Sequence, residues 1–173
     1  SVIRAGASLN DYAGLRHALA VDAAGKLHIA YSYYSWDPVT RSYGPSELRY
    51  INNAGGAWAD RPIVASYAGD RPAIVVDSSA QPQLSFRDAA NGFPQYSQSS
   101  GGWQIETIAL ESSTGVALAL DSSATPRVAY GRSAALRYGS RVNGTWSIAD
   151  VSGVSSAREP ALALDTSGHS HLA

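Results

Sequence analysis

The chain has 173 residues, the length of one domain or of a piece of a larger one. With 45% hydrophobic residues, 16% charged residues and a formal net charge of −1, it is neither a disordered segment nor a source of the basic field that draws nucleic acid or anionic lipid. Its apolar runs fall short of the ~18 residues that cross a bilayer, and the absence of Cys removes disulfides, thiolate metal sites and cysteine nucleophiles.

Two further counts shape the expectations. Met is absent even at position 1, so the native start is expected to lie elsewhere. The 13 basic residues divide into Lys26 and twelve arginines, and arginine makes bidentate contacts where lysine would only solvate a surface. Gly and Pro are scattered along the chain, which suits short turns and an all-β class.

In chain order, residues 1–8 are expected to form a leading outer strand, with Ser1 to Arg4 matching Ser147 to Asp150. The first blade, about 17–65, runs from His17-Ala-Leu-Ala-Val-Asp22 through Leu27 to Tyr31 and Leu48-Arg-Tyr50 to a strand opened by Trp58. The second, about 72–109, repeats this as Pro72-Ala-Ile-Val-Val-Asp77, Pro82 to Phe86, Pro94-Gln-Tyr96 and Trp103. The third, about 116–152, reads Val116-Ala-Leu-Ala-Leu-Asp121, Pro126 to Tyr130, Leu136-Arg-Tyr138 and Trp146. Residues 160–173 give half a blade, Pro160-Ala-Leu-Ala-Leu-Asp165 followed by Ser170 to Ala173.

The four aspartates stand 55, 44 and 44 residues apart, so the unit is about 44 residues with one insertion of about eleven. Four short strands in that length, small residues on the first and aromatics further out, is the arithmetic of a β-propeller with four-stranded antiparallel blades. About four blades are expected in this sequence, with the ring incomplete. An open sheet edge invites pairing, so the expected partners include further blades of a longer chain or further copies of this one.

With those residues in place, the run from Pro160 to Ala173, together with Leu136-Arg-Tyr138 and Trp146, resembles the repeats of secreted bacterial β-propellers loosely grouped with the sialidase-like (Asp-box) superfamily. The resemblance implies the fold and an extracellular or cell-surface location. It carries no catalytic set across. A sialidase Asp box places Ser-x-Asp-x-Gly-x-x-Trp between the third and fourth strands, whereas here Asp and Gly fall between the first and second and the Trp stands apart.

The repeated Asp22, Asp77, Asp121 and Asp165 read as turn caps, since an aspartate at a turn start accepts amide hydrogens two residues on and one active site needs no four copies. Trp58, Trp103 and Trp146 read as packing between blades, and Tyr50, Tyr96 and Tyr138 as core residues whose hydroxyls meet backbone partners. His169 and His171 lack an evident third metal ligand, so neither metal nor cofactor is expected.

Function is expected where the repeats depart from one another. The insertion between Ser32 and Ser46 carries Tyr33, Tyr34, Trp36 and Tyr43, and the segment around Asp11 is also longer than its equivalents. Both should emerge on one face, beside Arg16, Arg71, Arg87, Arg132 and Arg158. Long loops are retained for binding, and Tyr, Trp and Arg dominate binding hot spots. The reading is a non-catalytic binding or scaffolding module for a glycan or protein. The competing reading, a sialidase-like glycoside hydrolase, needs converging carboxylates that the acids of this sequence do not evidently supply.

Overall fold

The computed structural model describes residues 11–64, 69–155 and 157–173. The expected leading strand 1–8 lies outside them. Within them the chain is all-β.

Strands β1 (Tyr12–Val21), β2 (Leu27–Tyr34), β5 (Glu47–Asn52) and β6 (Ala59–Val64) form one antiparallel sheet in that order. Between β2 and β5 the short strands β3 (Trp36–Asp37) and β4 (Ser42–Tyr43) pair only with each other. A second sheet holds β7 (Asp70–Val76), β8 (Pro82–Arg87), β9 (Pro94–Gln98) and β10 (Gln104–Thr107). A third holds β11 (Val116–Leu120), β12 (Pro126–Arg132), β13 (Ala135–Val142) and β14 (Thr145–Asp150). Strands β15 (Leu162–Leu164) and β16 (Ser170–Leu172) pair as the start of a fourth.

The inner strands β1, β7, β11 and β15 follow one another side by side, which is how propeller blades meet around a channel. Register is the same in each blade. Ala18 faces Ala30, Ala73 faces Ser85 and Ala117 faces Ala129, while Ala161 and Ala173 exchange both backbone hydrogen bonds. Small side chains on the inner strand let neighbouring inner strands approach closely.

Each turn after the inner strand is built alike. Asp22 Oδ1 accepts from the amides of Ala24 and Lys26 at 2.9 and 2.8 Å. Asp77, Asp121 and Asp165 do the same with Ser79 and Gln81, Ser123 and Thr125, and Ser167 and His169. The closing residue is left-handed in all four blades, with φ of 74° at Gly25, 59° at Ala80, 58° at Ala124 and 82° at Gly168.

Hydrophobic cores fill the gaps between blades. Ala30, Tyr50, Ile74 and Leu84 pack between the first and second, while Tyr96, Val116, Leu118, Val128 and Tyr130 pack between the second and third. Leu136, Val151, Leu162 and Leu172 join the third blade to β15 and β16. Trp103 stands edge-on to Tyr50 of the preceding blade, at 5.2 Å and 71°. Trp58 heads the first blade and is 48% exposed.

One expectation is corrected by the tyrosines. Their hydroxyls meet side chains: Tyr50 pairs with His28 at 2.6 Å, Tyr96 donates to Gln83 at 2.5 Å and Tyr138 pairs with Ser170 at 2.6 Å. The reason is local. In the first two blades the polar residue at position two of the second strand, His28 or Gln83, faces the tyrosine of the third strand, while Tyr138 reaches Ser170 of the following strand pair. His28 bridges Asp22 and Tyr50 and is buried.

Candidate binding cleft

The insertion and the lengthened lead-in meet as expected. Asp11 accepts from the backbone amide of Trp36 at 2.8 Å through one oxygen and from the Tyr33 hydroxyl at 2.7 Å through the other. The hairpin beyond is held by Asp37, which accepts from the Val39 amide and the Thr40 hydroxyl; these bonds, the Thr40 hydroxyl first, hold its carboxyl below the usual range. Trp36 and Tyr43 are in contact, with ring centroids 4.9 Å apart and planes tilted by 60°.

The four aromatics of the insertion do not share one environment. Tyr33 is 3% exposed and packs with Tyr31 and Ile51, with the Arg49 guanidinium 5.7 Å from its ring. It therefore offers no apolar anchor to a partner, contrary to expectation: β2 is covered over this stretch, Tyr33 packs beside Tyr31, and Asp11 binds its hydroxyl. Tyr34 is half-buried, with Asp70, Arg16 and Ser46 among its neighbours, and burial pushes its hydroxyl pKa up. Trp36 is half-buried and Tyr43 exposed.

The start of each inner strand carries the richest chemistry. Arg16, Arg71, Gly115 and Glu159 occupy one repeat position, immediately before His17, Pro72, Val116 and Pro160. Arg71 Nη1 donates to a Glu159 carboxylate oxygen and, at 2.7 Å, to the Thr114 carbonyl. Arg16 lies 3.5 Å from the same Glu159 oxygen and 3.8 Å from Asp70, which also pairs with Arg71 at 3.4 Å. Residues of three blades thus converge on one charged cluster.

That cluster is built on strained backbone. Arg71 and Glu159 have φ of 55° and 50°, in a left-handed region that costs an ordinary residue about 1–2 kcal/mol, and each precedes a proline, which further restricts the residue before it. Strain of this kind persists where the surrounding contacts hold it. Gly115 supplies the room: a Cβ there would stand 3.2 Å from Glu159 Cα.

Two cavities share Arg71 and Glu159. One, of about 420 Å³, runs down the inner strands past Arg16, Ala73, Ala117 and Leu162. The other, of about 610 Å³, is a polar cleft lined by Asp70, Arg71, Arg87, Ser112, Thr114, Arg158 and Glu159. Arg87 is fixed by its Nε, which donates to the Ser113 carbonyl at 2.9 Å. Neither Arg87 nor Arg158 forms an ion pair among the described residues.

Of the arginines singled out from sequence, Arg71, Arg87 and Arg158 meet in the cleft and Arg16 stands at its mouth. Arg132 does not join them. Its Nε lies 2.9 Å from Glu111, which also accepts from the Tyr130 hydroxyl and pairs with Arg137. Ser112 and Thr114 escaped sequence reasoning because hydroxyl residues recur throughout this chain. Their position in the connection from the second blade to the third was the available signal. Among the described residues no group of three His, Asp or Glu could hold a metal ion; His169 and His171 both lean on Asp165, at 3.1 and 3.4 Å, and are exposed.

No protein-family model and no curated protein matches the sequence. Among solved structures, the chain is similar to a fucose lectin from Kordia zhangzhouensis in complex with methyl-fucoside, at 13% identity and a TM-score of 0.48, over 77% of this chain and 96% of the lectin. It is also similar to a provisionally assigned exo-β-1,3-galactanase from Bifidobacterium bifidum, at 10% identity and a TM-score of 0.40, over 79% of this chain and 55% of that one. At such identities and scores these likenesses carry no argument about a ligand.

Proposed function

We propose that the chain is a non-catalytic glycan-binding module whose site is the cleft between the second and third blades. The observation that supports this most is the chemistry of its lining. Arg87 and Arg158, free of ion pairs among the described residues, face the same space as the hydroxyl residues Ser112 and Thr114 and the carboxylates of Asp70 and Glu159. A sugar hydroxyl both donates and accepts, so a wall that alternates guanidinium, hydroxyl and carboxylate satisfies it from either side. The cleft volume of about 610 Å³ falls within the ~300–1,000 Å³ of small-ligand sites. The exposed Tyr43, braced against the tilted ring of Trp36, offers a second contact for a longer glycan. An extracellular or cell-surface location goes with this reading.

The test is a glycan panel screened by calorimetry against the wild-type chain, Arg87→Ala and Arg132→Ala. Arg87→Ala should weaken binding at least tenfold, while Arg132→Ala, engaged elsewhere, should leave it unchanged. Equal loss in both variants, or retention in Arg87→Ala, would move the site away from the cleft.

A further inference from the structure

The charged cluster at the cleft mouth holds a carboxylate of the chain itself where an anionic ligand would sit. One oxygen of Glu159, on the lead-in to β15, faces the guanidinium of Arg71 from the second blade and that of Arg16 from the first. The Glu159 side chain is 53% exposed, so this arrangement stands at the surface of the site. Backbone geometry commits it there: Glu159 and Arg71 both adopt left-handed φ before a proline, and Gly115 leaves the space that the Glu159 backbone occupies.

We infer that Glu159 closes the Arg16 and Arg71 guanidinium groups at the cleft mouth to acidic ligands while leaving neutral sugars undisturbed. The inference rests on the glycan-binding reading and deepens it. A neutral hydroxyl can donate to Glu159 and accept from Arg87 or Arg158 without disturbing the cluster. A carboxylate or sulfate only accepts. To reach Arg16 and Arg71 it must displace Glu159, and to sit beside them it must approach the like charges of Glu159 and Asp70. Each pairwise contact at such an exposed site is small alone. The selectivity comes from one residue that both occupies the two cations and repels their competitor.

The experiment titrates the wild-type chain and Glu159→Gln with glucose, glucuronate and sodium sulfate at constant ionic strength. It follows the Arg16 and Arg71 Nε–H resonances, and melting curves check that the variant is folded. Glucuronate and sulfate should bind Glu159→Gln at least tenfold more tightly than wild type and shift both arginine resonances, while glucose, which loses a carboxylate acceptor in the variant, gains nothing. The double variant Arg16→Gln/Glu159→Gln should lose most of that gain. Equal affinity of wild type and Glu159→Gln for glucuronate would overturn the assignment, as would a gain that survives loss of Arg16. If no glycan of the panel binds either protein while Glu159→Gln still gains glucuronate, the glycan reading fails and the role of Glu159 stands.

Discussion

The indole of Trp146 meets the ring of Tyr96 edge-on across the boundary between the second and third blades, 5.4 Å between centroids and 71° between planes. Trp103 meets Tyr50 at the same angle one blade earlier. Trp146 also donates its Nε1 hydrogen to Glu106 of the second blade at 2.8 Å. The third blade is therefore fixed to the second through both the edge and the polar tip of Trp146, and the second to the first through the ring of Trp103.

Trp146→Ala should accordingly cost about 3 kcal/mol, the lower part of the range for large aromatic truncation because the side chain is only half-buried. Trp58→Ala, at the exposed equivalent position, should cost under ~1 kcal/mol. Urea unfolding of both variants measures the contrast. Equal losses would show that the tryptophans act within their own blades.

The turn aspartates predict an acid dependence. The Lys26 amide first, with the His28 side chain and the Ala24 amide, holds the Asp22 carboxyl below its ordinary value, and the His169 amide leads the same effect at Asp165. A carboxyl whose folded pKa lies below its unfolded one contributes stability that is complete above the unfolded value of ~3.9 and is lost as pH falls through the folded value. Melting temperature should therefore drop below about pH 4. Asp22→Asn keeps an acceptor for the two amides but cannot titrate, so its melting curve should fall less steeply with acid than that of the wild type. Parallel curves would refute the assignment.

The same turns differ in how they close. Gly25 and Gly168 adopt left-handed φ freely, whereas Ala80 and Ala124 do so with a Cβ. Relief of about 1–2 kcal/mol of strain, offset by the ~0.5–1 kcal/mol entropic cost of a glycine, leaves Ala124→Gly more stable by about 0.5 kcal/mol. Gly25→Ala should be less stable by a similar amount. Thermal unfolding of the pair checks both signs, and a destabilised Ala124→Gly would mean that the turn prefers its alanine for another reason.

The repeat made the blades legible from sequence, because the Asp-turn, the Leu-Arg-Tyr strand and the Trp recur in fixed order and each has one structural job. Asp121 accepts the amides of Ser123 and Thr125 as that pattern requires. The cleft was legible only in part. Arg71 and Arg158 stand out as charges in the loops that lead into the inner strands, yet nothing local says that Arg71 reaches Glu159, 88 residues on, or that Arg132 turns to Glu111. Those outcomes depend on how adjacent blades are rotated against each other. Tyr33 misleads for a related reason: in sequence it belongs to the insertion, and in space it completes β2.

Gly131 links the packing of the third blade to the shape of the cleft. A Cβ at this position would stand 2.2 Å from the Ala157 carbonyl oxygen and 2.3 Å from Thr114 Oγ1, separations no real side chain tolerates. Thr114 and Ala157 lead into β11 and β15, and the Thr114 hydroxyl lies 3.3 and 3.4 Å from the Gly131 and Ala157 carbonyls, which share its one hydrogen. Gly131→Ala must therefore push the segment carrying Arg158 and Glu159 away from Thr114, at a cost of about 1–3 kcal/mol for overpacking. Because Arg71 bonds both the Thr114 carbonyl and Glu159, the displacement also pulls the charged cluster apart. Gly139→Ala serves as the control: its Cβ would meet Ser147 O at 2.2 Å within the outer part of the same blade, so it should destabilise comparably without touching the cleft. Glycan affinity measured beside urea stability separates the two. Gly131→Ala should lose binding under conditions where both variants remain folded, and Gly139→Ala should keep it; matched affinities would show that the cleft does not depend on this contact.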